Sequence, residues 1–218
     1  MRFVLKQNST SSCGAAVAAV ARAELNKVRL APPGRLDEDA IYQAVSGNPR
    51  YADASSPARI ARFFQETGFL ASVITSPTWP STALTSRVGK ALPESWRLTS
   101  LAWQRENRVW SLPRGLRERD FDYGARVLLA CATADGPHYL LARREGSNYY
   151  VMDPAYGTDL RPDAFAVWAG LFNGDTNPRD PGLALRWLDG HAVHPVRQNY
   201  FLEVAVWVNK PTAPHVRA

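Results

Sequence analysis

Four side chains in this 218-residue sequence have the types and placement that acyl transfer requires: Gln7, Cys13, His138 and Asp153. Cys13 follows a polar loop, Gln7-Asn8-Ser9-Thr10-Ser11-Ser12, and precedes the small-residue run Gly14 to Ala21, whose alanines combine high helix propensity with little bulk. The pattern predicts a helix that is capped by Ser11 or Ser12, carries Cys13 in its first turn, runs to about Leu25 and packs centrally. A first-turn cysteine lies against unpaired N–H groups and the positive end of the helix dipole. Both favour the thiolate, which is the nucleophilic form. Gln7, six residues upstream, can add a side-chain amide N–H to the Cys13 backbone N–H, giving two donors for an oxyanion. Taken alone, a cysteine in an alanine-rich helix reads as an ordinary core residue; only the rest of the chain favours chemistry.

A base and an acid to orient it come much later in the chain. Of the four histidines only His138 opens a predicted strand, which would fix the backbone beneath a base. Asp153 ends the next strand, so the two are expected to be cross-strand neighbours within hydrogen-bonding reach. A carboxylate so placed orients an imidazole and stabilises it once protonated. The plainer alternatives are a turn histidine after Pro137 and a turn cap at Asp153-Pro154.

The elements that must position these residues can be read around them. Phe3-Val4-Leu5 suggests a short edge strand. Leu36 to Val45 suggests a helix with an acidic first turn. Ser56 to Gly68 suggests another, with a capping serine, proline at its first position and glycine at its end. A strand over Phe69 to Ile74 follows. From about residue 76 to 123 the signals are mixed, with a helix from about Ser81 to Leu92, and the stretch reads as an irregular insertion within one domain spanning 1–218. Arg126–Ala132, His138–Arg143 and Tyr149–Met152 predict an antiparallel meander. A helix over Asp163–Phe172, a loop over Asn173–Gly182 and a last strand over Tyr200–Val208 complete an α+β pattern.

Composition narrows the function classes. A hydrophobic fraction of 45% supports a full core. The longest apolar runs, such as Val127 to Ala132, fall far short of the roughly 20 residues of a membrane span. The start of the sequence lacks the signal-peptide pattern, and two cysteines make no disulfide framework. These features predict synthesis in a reducing cytoplasm, with export open to a route that needs no cleaved signal. Cys131 is expected to be buried and inert, and Cys13 partly exposed. The net charge of +6 permits an acidic partner without demanding one. Trp96 to Arg119 interleaves Trp103, Arg105, Arg108, Trp110, Arg114 and Arg117, a mixture that suits single-stranded nucleic acid, but Glu94, Glu106, Glu118 and Asp120 dilute it. It reads instead as a solvated insertion with tryptophan anchors, bordering the cleft and restricting what enters. No cofactor motif is present, and no metal is expected: His191 and His194 run into Pro195 without partner ligands.

Gln7 with Cys13-Gly14, then Pro137-His138-Tyr139 opening a strand, then Met152-Asp153-Pro154 with Gly157, together resemble the papain-like cysteine peptidases. Within them they are most similar to the branch that removes leader peptides from double-glycine bacteriocins, as is the Ser56 to Gly68 helix with the strand behind it. The resemblance covers residues 7 to 157. It implies a papain-like α+β fold, with the nucleophile on a central helix packed against an antiparallel sheet and the cleft between them. It further implies Cys13 as nucleophile, His138 as general base, Asp153 as orienting residue, Gln7 as oxyanion donor, and hydrolysis of a peptide or protein substrate through a thioester. Two features depart from that branch: Ser12 stands where an acidic residue is common, and these 218 residues contain no membrane-exporter segment of the kind its members are usually fused to. Similar folds serve glutamine-deamidating bacterial effectors, amidases and acyltransferases, so deamidation and acyl transfer are alternatives, as is a binding module without turnover.

Overall fold

The computed structural model of the protein describes residues 2–9, 11–28, 35–46, 55–75, 111–133, 136–160 and 200–211. The small-residue run forms helix α1, Cys13–Asn26. Its alanines keep the helix thin, so neighbours close on it from all sides: every residue from Cys13 to Ala21 is buried, and Arg22 interrupts an otherwise buried run to Leu25. Helix α2, Arg35–Ser46, buries Glu38, Ile41, Tyr42 and Val45, a single stripe at helical spacing. Helix α3, Pro57–Glu66, begins on a proline, whose missing N–H is harmless at a first helical position, and buries Ile60, Ala61 and Phe64. Gly68, at φ 87°, then turns the chain into the sheet.

Strands β1 (Leu70–Thr75), β2 (Ser111–Pro113), β3 (Arg126–Thr133), β4 (Gly136–Glu145), β5 (Asn148–Asp153), β6 (Thr158–Leu160) and β7 (Tyr200–Asn209) form a sheet in the order β2-β1-β7-β3-β4-β5-β6. The β1–β2 pair is parallel and the other pairings are antiparallel. The period of two sorts the side chains onto two faces. Leu128, Ala130, Tyr139, Leu141, Met152 and Val206 share a core with the three helices, while Val127, Leu129, Leu140, Ala142, Val151 and Ala205 join Leu116 and Phe121 on the opposite face. The fold is therefore α+β, with α1 laid against the middle of a largely antiparallel sheet. Among the described residues no helix is long and apolar enough to cross a membrane.

Some expectations change. Phe3-Val4-Leu5 is not a strand. Phe3 donates its N–H to Glu24 Oε1 at 2.7 Å and accepts Arg143 Nη1 on its carbonyl at 3.2 Å, so two buried side chains take the place of a neighbouring strand. The end of the expected irregular insertion is ordered into the domain. It contributes β2 and a 3₁₀ segment, Glu118–Gly124, and Trp207 Nε1 donates to the Asp120 carbonyl at 2.9 Å. β6, at three residues, is too short for alternation to reveal. The expected helices over Ser81–Leu92 and Asp163–Phe172, the loop over Asn173–Gly182, the stretch from Trp96 to Trp110, and His191 with His194 lie outside the described residues.

Candidate active site

Cys13 is the first residue of α1. Ser12, at the cap position, makes no side-chain bond to the helix, contrary to the capping expectation. Its Oγ turns back instead, accepting the Ser9 N–H at 3.1 Å and donating to the Ser9 carbonyl at 3.0 Å. The Ser12 hydroxyl therefore does not occupy the positive end of α1. Cys13 is 4% exposed, so the partly exposed thiol expected from the sequence is in fact enclosed. The next residue, Gly14, is closely approached. A Cβ there would stand 2.6 Å from Ser55 Cβ and 3.2 Å from Tyr139 Cδ2, and the Tyr139 hydroxyl donates to the Ser55 carbonyl at 2.9 Å. The Cys13-Gly14 pair is thereby seated against His138-Tyr139.

His138 is the third residue of β4 and is 7% exposed. The β4–β5 register pairs Leu141 with Met152, which by extension sets Asp153 opposite Leu140 and diagonal to His138. His138 Nε2 lies 2.8 Å from Asp153 Oδ1. The same oxygen accepts the Ala155 N–H at 2.9 Å, and the Asp153 carbonyl accepts the Gly157 N–H at 2.9 Å, so the carboxylate is held within its own turn. With Nε2 committed to Asp153, Nδ1 is the ring atom left for Cys13, to which His138 is also hydrogen-bonded. Burial alone pushes the His138 pKa down. The hydrogen bonds to Asp153 and Cys13, with the charges of both, outweigh burial and raise it from 6.5 to about 10. A protonated imidazole beside a sulfur is the partner a thiolate nucleophile requires. One strand away, the β3–β7 register shifts between Leu129 and Cys131, and Cys131 is the residue paired with His138. Irregularities of this kind re-aim side chains beside sites.

Gln7 is half-buried in a loop whose backbone is tied at three successive residues, Gln7, Asn8 and Ser9. Its N–H donates to the Pro154 carbonyl at 2.8 Å, and the Asn8 N–H donates to Glu38 Oε1 at 2.8 Å. The Gln7 Nε2 donates one hydrogen to the Ser9 carbonyl at 2.7 Å, which fixes the amide orientation and leaves the second N–H. Gln7 Oε1 is buried and has no hydrogen-bond partner among the described residues. The turn from Asp153 to Gly157 thus both orients His138 and anchors the Gln7 loop. Gly157, at φ 64°, lies where a Cβ would meet Lys6 Cβ at 3.0 Å.

The four residues singled out from the sequence therefore lie on α1, the loop before it, and the adjoining ends of β4 and β5. Sequence reasoning missed Ser55, and it named Tyr139 and Pro154 only as motif neighbours of His138 and Asp153, without the roles of the Tyr139 hydroxyl and the Pro154 carbonyl. It also missed Glu38, which had a signal: an acid on the apolar stripe of α2. Among the described residues no group of three or more histidine, cysteine, aspartate or glutamate side chains is assembled to hold a metal ion. No protein-family model and no curated protein matches the sequence.

Proposed function

We propose that the protein is a papain-like cysteine hydrolase acting on a peptide or amide bond of a peptide or protein substrate. The observation that carries this reading is the hydrogen-bonded series Cys13–His138–Asp153, drawn from three separate parts of the chain, with a histidine that the other two hold protonated. A core cysteine has no use for such a partner. A nucleophile on the first turn of a central helix, facing a base on an antiparallel strand, supports the papain-like form of the proposal.

The steps follow from the groups present. The Cys13 sulfur adds to the carbonyl carbon and the π pair moves onto oxygen, where the Cys13 N–H and the Gln7 amide stabilise it. Collapse breaks the carbon–nitrogen bond, the departing amine takes the proton from the His138 imidazolium, and Cys13 keeps the acyl group as a thioester. Water then adds to the thioester carbonyl while His138 takes its proton, and loss of the sulfur restores the starting ion pair. Asp153 keeps Nδ1 directed to sulfur throughout.

The test uses p-nitrophenyl acetate as a minimal acyl donor, with intact-mass detection of the acetyl group. Acylation is expected on Cys13, and Cys13→Ala and His138→Ala should each lower it by about 10⁴-fold or more. Iodoacetamide should alkylate Cys13 faster than Cys131. Product mass on peptide substrates then separates backbone cleavage from glutamine deamidation and from acyl transfer. Full activity in Cys13→Ala would overturn the proposal, and absence of acylation in the wild type would favour a binding module.

A further inference from the structure

Helix α2 carries a carboxylate on its buried stripe. Glu38 is 0% exposed and shares a helical face with Ile41, Tyr42 and Val45, which lie in the core around α1. A carboxyl on such a face costs far more to desolvate than a methylene, and a hydrogen bond offsets part of that cost. Glu38 Oε1 accepts the main-chain N–H of Asn8 at 2.8 Å, across 30 residues of chain. Asn8 is itself exposed, so the bond serves the backbone of the loop and not a core asparagine.

Asn8 stands between the two residues that fix the Gln7 amide. The three successive N–H groups of Gln7, Asn8 and Ser9 end on three separately anchored acceptors: the Pro154 carbonyl in the β5–β6 turn, Glu38 on α2, and the hydroxyl of Ser12 next to Cys13. Glu38 is the one side-chain carboxyl among the three acceptors, and it reaches the loop from a separate helix. The Ser9 carbonyl in turn receives the Gln7 side-chain amide at 2.7 Å. A change in the path of Asn8 therefore moves both ends of the contact that aims Gln7. Resting on the hydrolase reading, we propose that Glu38 is a positioning residue: it holds the Asn8 backbone so that the Gln7 amide stays directed at the oxyanion, and it touches no substrate atom itself.

The test again uses p-nitrophenyl acetate. Glu38→Ala is expected to lower kcat by about 10- to 100-fold, as removing an outer-shell partner of a functional group commonly does, with KM nearly unchanged. Glu38→Gln keeps the acceptor oxygen and should retain most of the activity; Glu38→Asp, one methylene shorter, should fall between. In a Gln7→Ala background, Glu38→Ala should add almost no further loss, because its effect runs through Gln7. Alkylation of Cys13 by iodoacetamide, which forms no oxyanion, should keep its rate in every Glu38 variant. Amide exchange at Gln7 to Ser9 should quicken in Glu38→Ala and not in Glu38→Gln. Unchanged kcat, equal losses with and without Gln7, or alkylation slowed in step with acylation would each overturn the proposal. Should Glu38→Ala fail to fold, Glu38→Asp carries the same comparisons. If the wild-type Cys13 is not acylated at all, it is the hydrolase reading that fails, and exchange at Gln7 to Ser9 still decides whether Glu38 holds the loop.

Discussion

At His138 two opposed effects act on one proton. Burial disfavours the imidazolium, and hydrogen bonds to Asp153 and Cys13 favour it strongly enough to lift the pKa to about 10. In the unfolded chain the group returns to an ordinary value of 6.5. Between these values the folded protein binds the extra proton, so stability falls as pH rises. The contribution of His138 is full below about pH 6.5 and is lost as pH climbs through about 10. Urea midpoints of the wild type should therefore drop between pH 6.5 and pH 10 by more than those of His138→Ala; equal drops in the two proteins would show that His138 is not the group responsible. The ring resonances of His138 should titrate near the top of that window, and Asp153→Asn should bring the titration down, since it removes the carboxylate charge and leaves the ring in place. On acylation, Asp153→Asn and Gln7→Ala should leave weak activity. For Gln7→Ala the loss should be about 10²- to 10³-fold, as for other single oxyanion donors, which separates a donor from a nucleophile.

Among the elements, the seam between α1 and β4 decides whether the site assembles. Gly14→Ala should gain about 1 kcal/mol of helix propensity and lose about 1–3 kcal/mol to overpacking, because the new methyl group would overlap Ser55 Cβ at 2.6 Å, an atom fixed to backbone and unable to swing aside. The variant is expected to be less stable in urea and slower in acylation, and Ser55→Gly in the same chain should recover part of both. Recovery of stability without recovery of rate would mean that the seam supports the fold but does not aim Cys13. The helices and long strands were legible because their signals are local: alanines for α1, a proline start and glycine stop for α3, and turn residues bounding β3 to β5. The His138–Asp153 pair was legible because a hairpin brings the start of one strand beside the end of the next, whereas Cys13 was joined to it only through the family resemblance. The Phe3 to Leu5 strap was misread because apolar residues in a row look alike whether their backbone is met by a strand or by Glu24 and Arg143. β2 and β6 were missed because three residues show no period. Of the two serines offered as the cap of α1, Ser12 takes the position but not the side-chain bond, since its hydroxyl meets the backbone of Ser9 instead.

Across the whole molecule the site is one of two clamps between the same pair of elements. Near the far end of α1, Glu24, its side chain fully buried, binds Arg126 Nε on β3 at 2.6 Å, Arg143 Nη1 on β4 at 2.6 Å and the Phe3 N–H at 2.7 Å. Arg143 also approaches Asp159 on β6 at 2.7 Å, an ion pair without hydrogen-bond alignment. Cys13 to Glu24 is eleven helical residues, about 16 Å, and His138 to Arg143 is five strand residues, about 17 Å. The helix and the strand are therefore matched in length between the two clamps, and neither can slide by a residue without breaking both. No local pattern could reveal this, because Glu24 meets its arginines 102 and 119 positions away. Glu24→Gln leaves the buried Arg126 guanidinium without its counter-charge and Arg143 with Asp159 alone, and should cost about 3–5 kcal/mol in urea unfolding, the range for breaking a buried pair from one side. Replacing Glu24, Arg126 and Arg143 together by methionine should cost less than Glu24→Gln alone, since no buried guanidinium is left and the partly exposed Asp159 keeps Arg2 Nε at 3.6 Å. The two variants should then part company on chemistry. A displacement of about 1 Å at reacting atoms can cost on the order of 100-fold in rate. The triple variant, although better folded, should still acylate Cys13 more slowly than the wild type, because apolar packing restores stability without restoring the register of α1 on β4. Wild-type acylation in the triple variant would show that the Gly14 seam alone holds Cys13 to His138, and that the Glu24 network serves stability only.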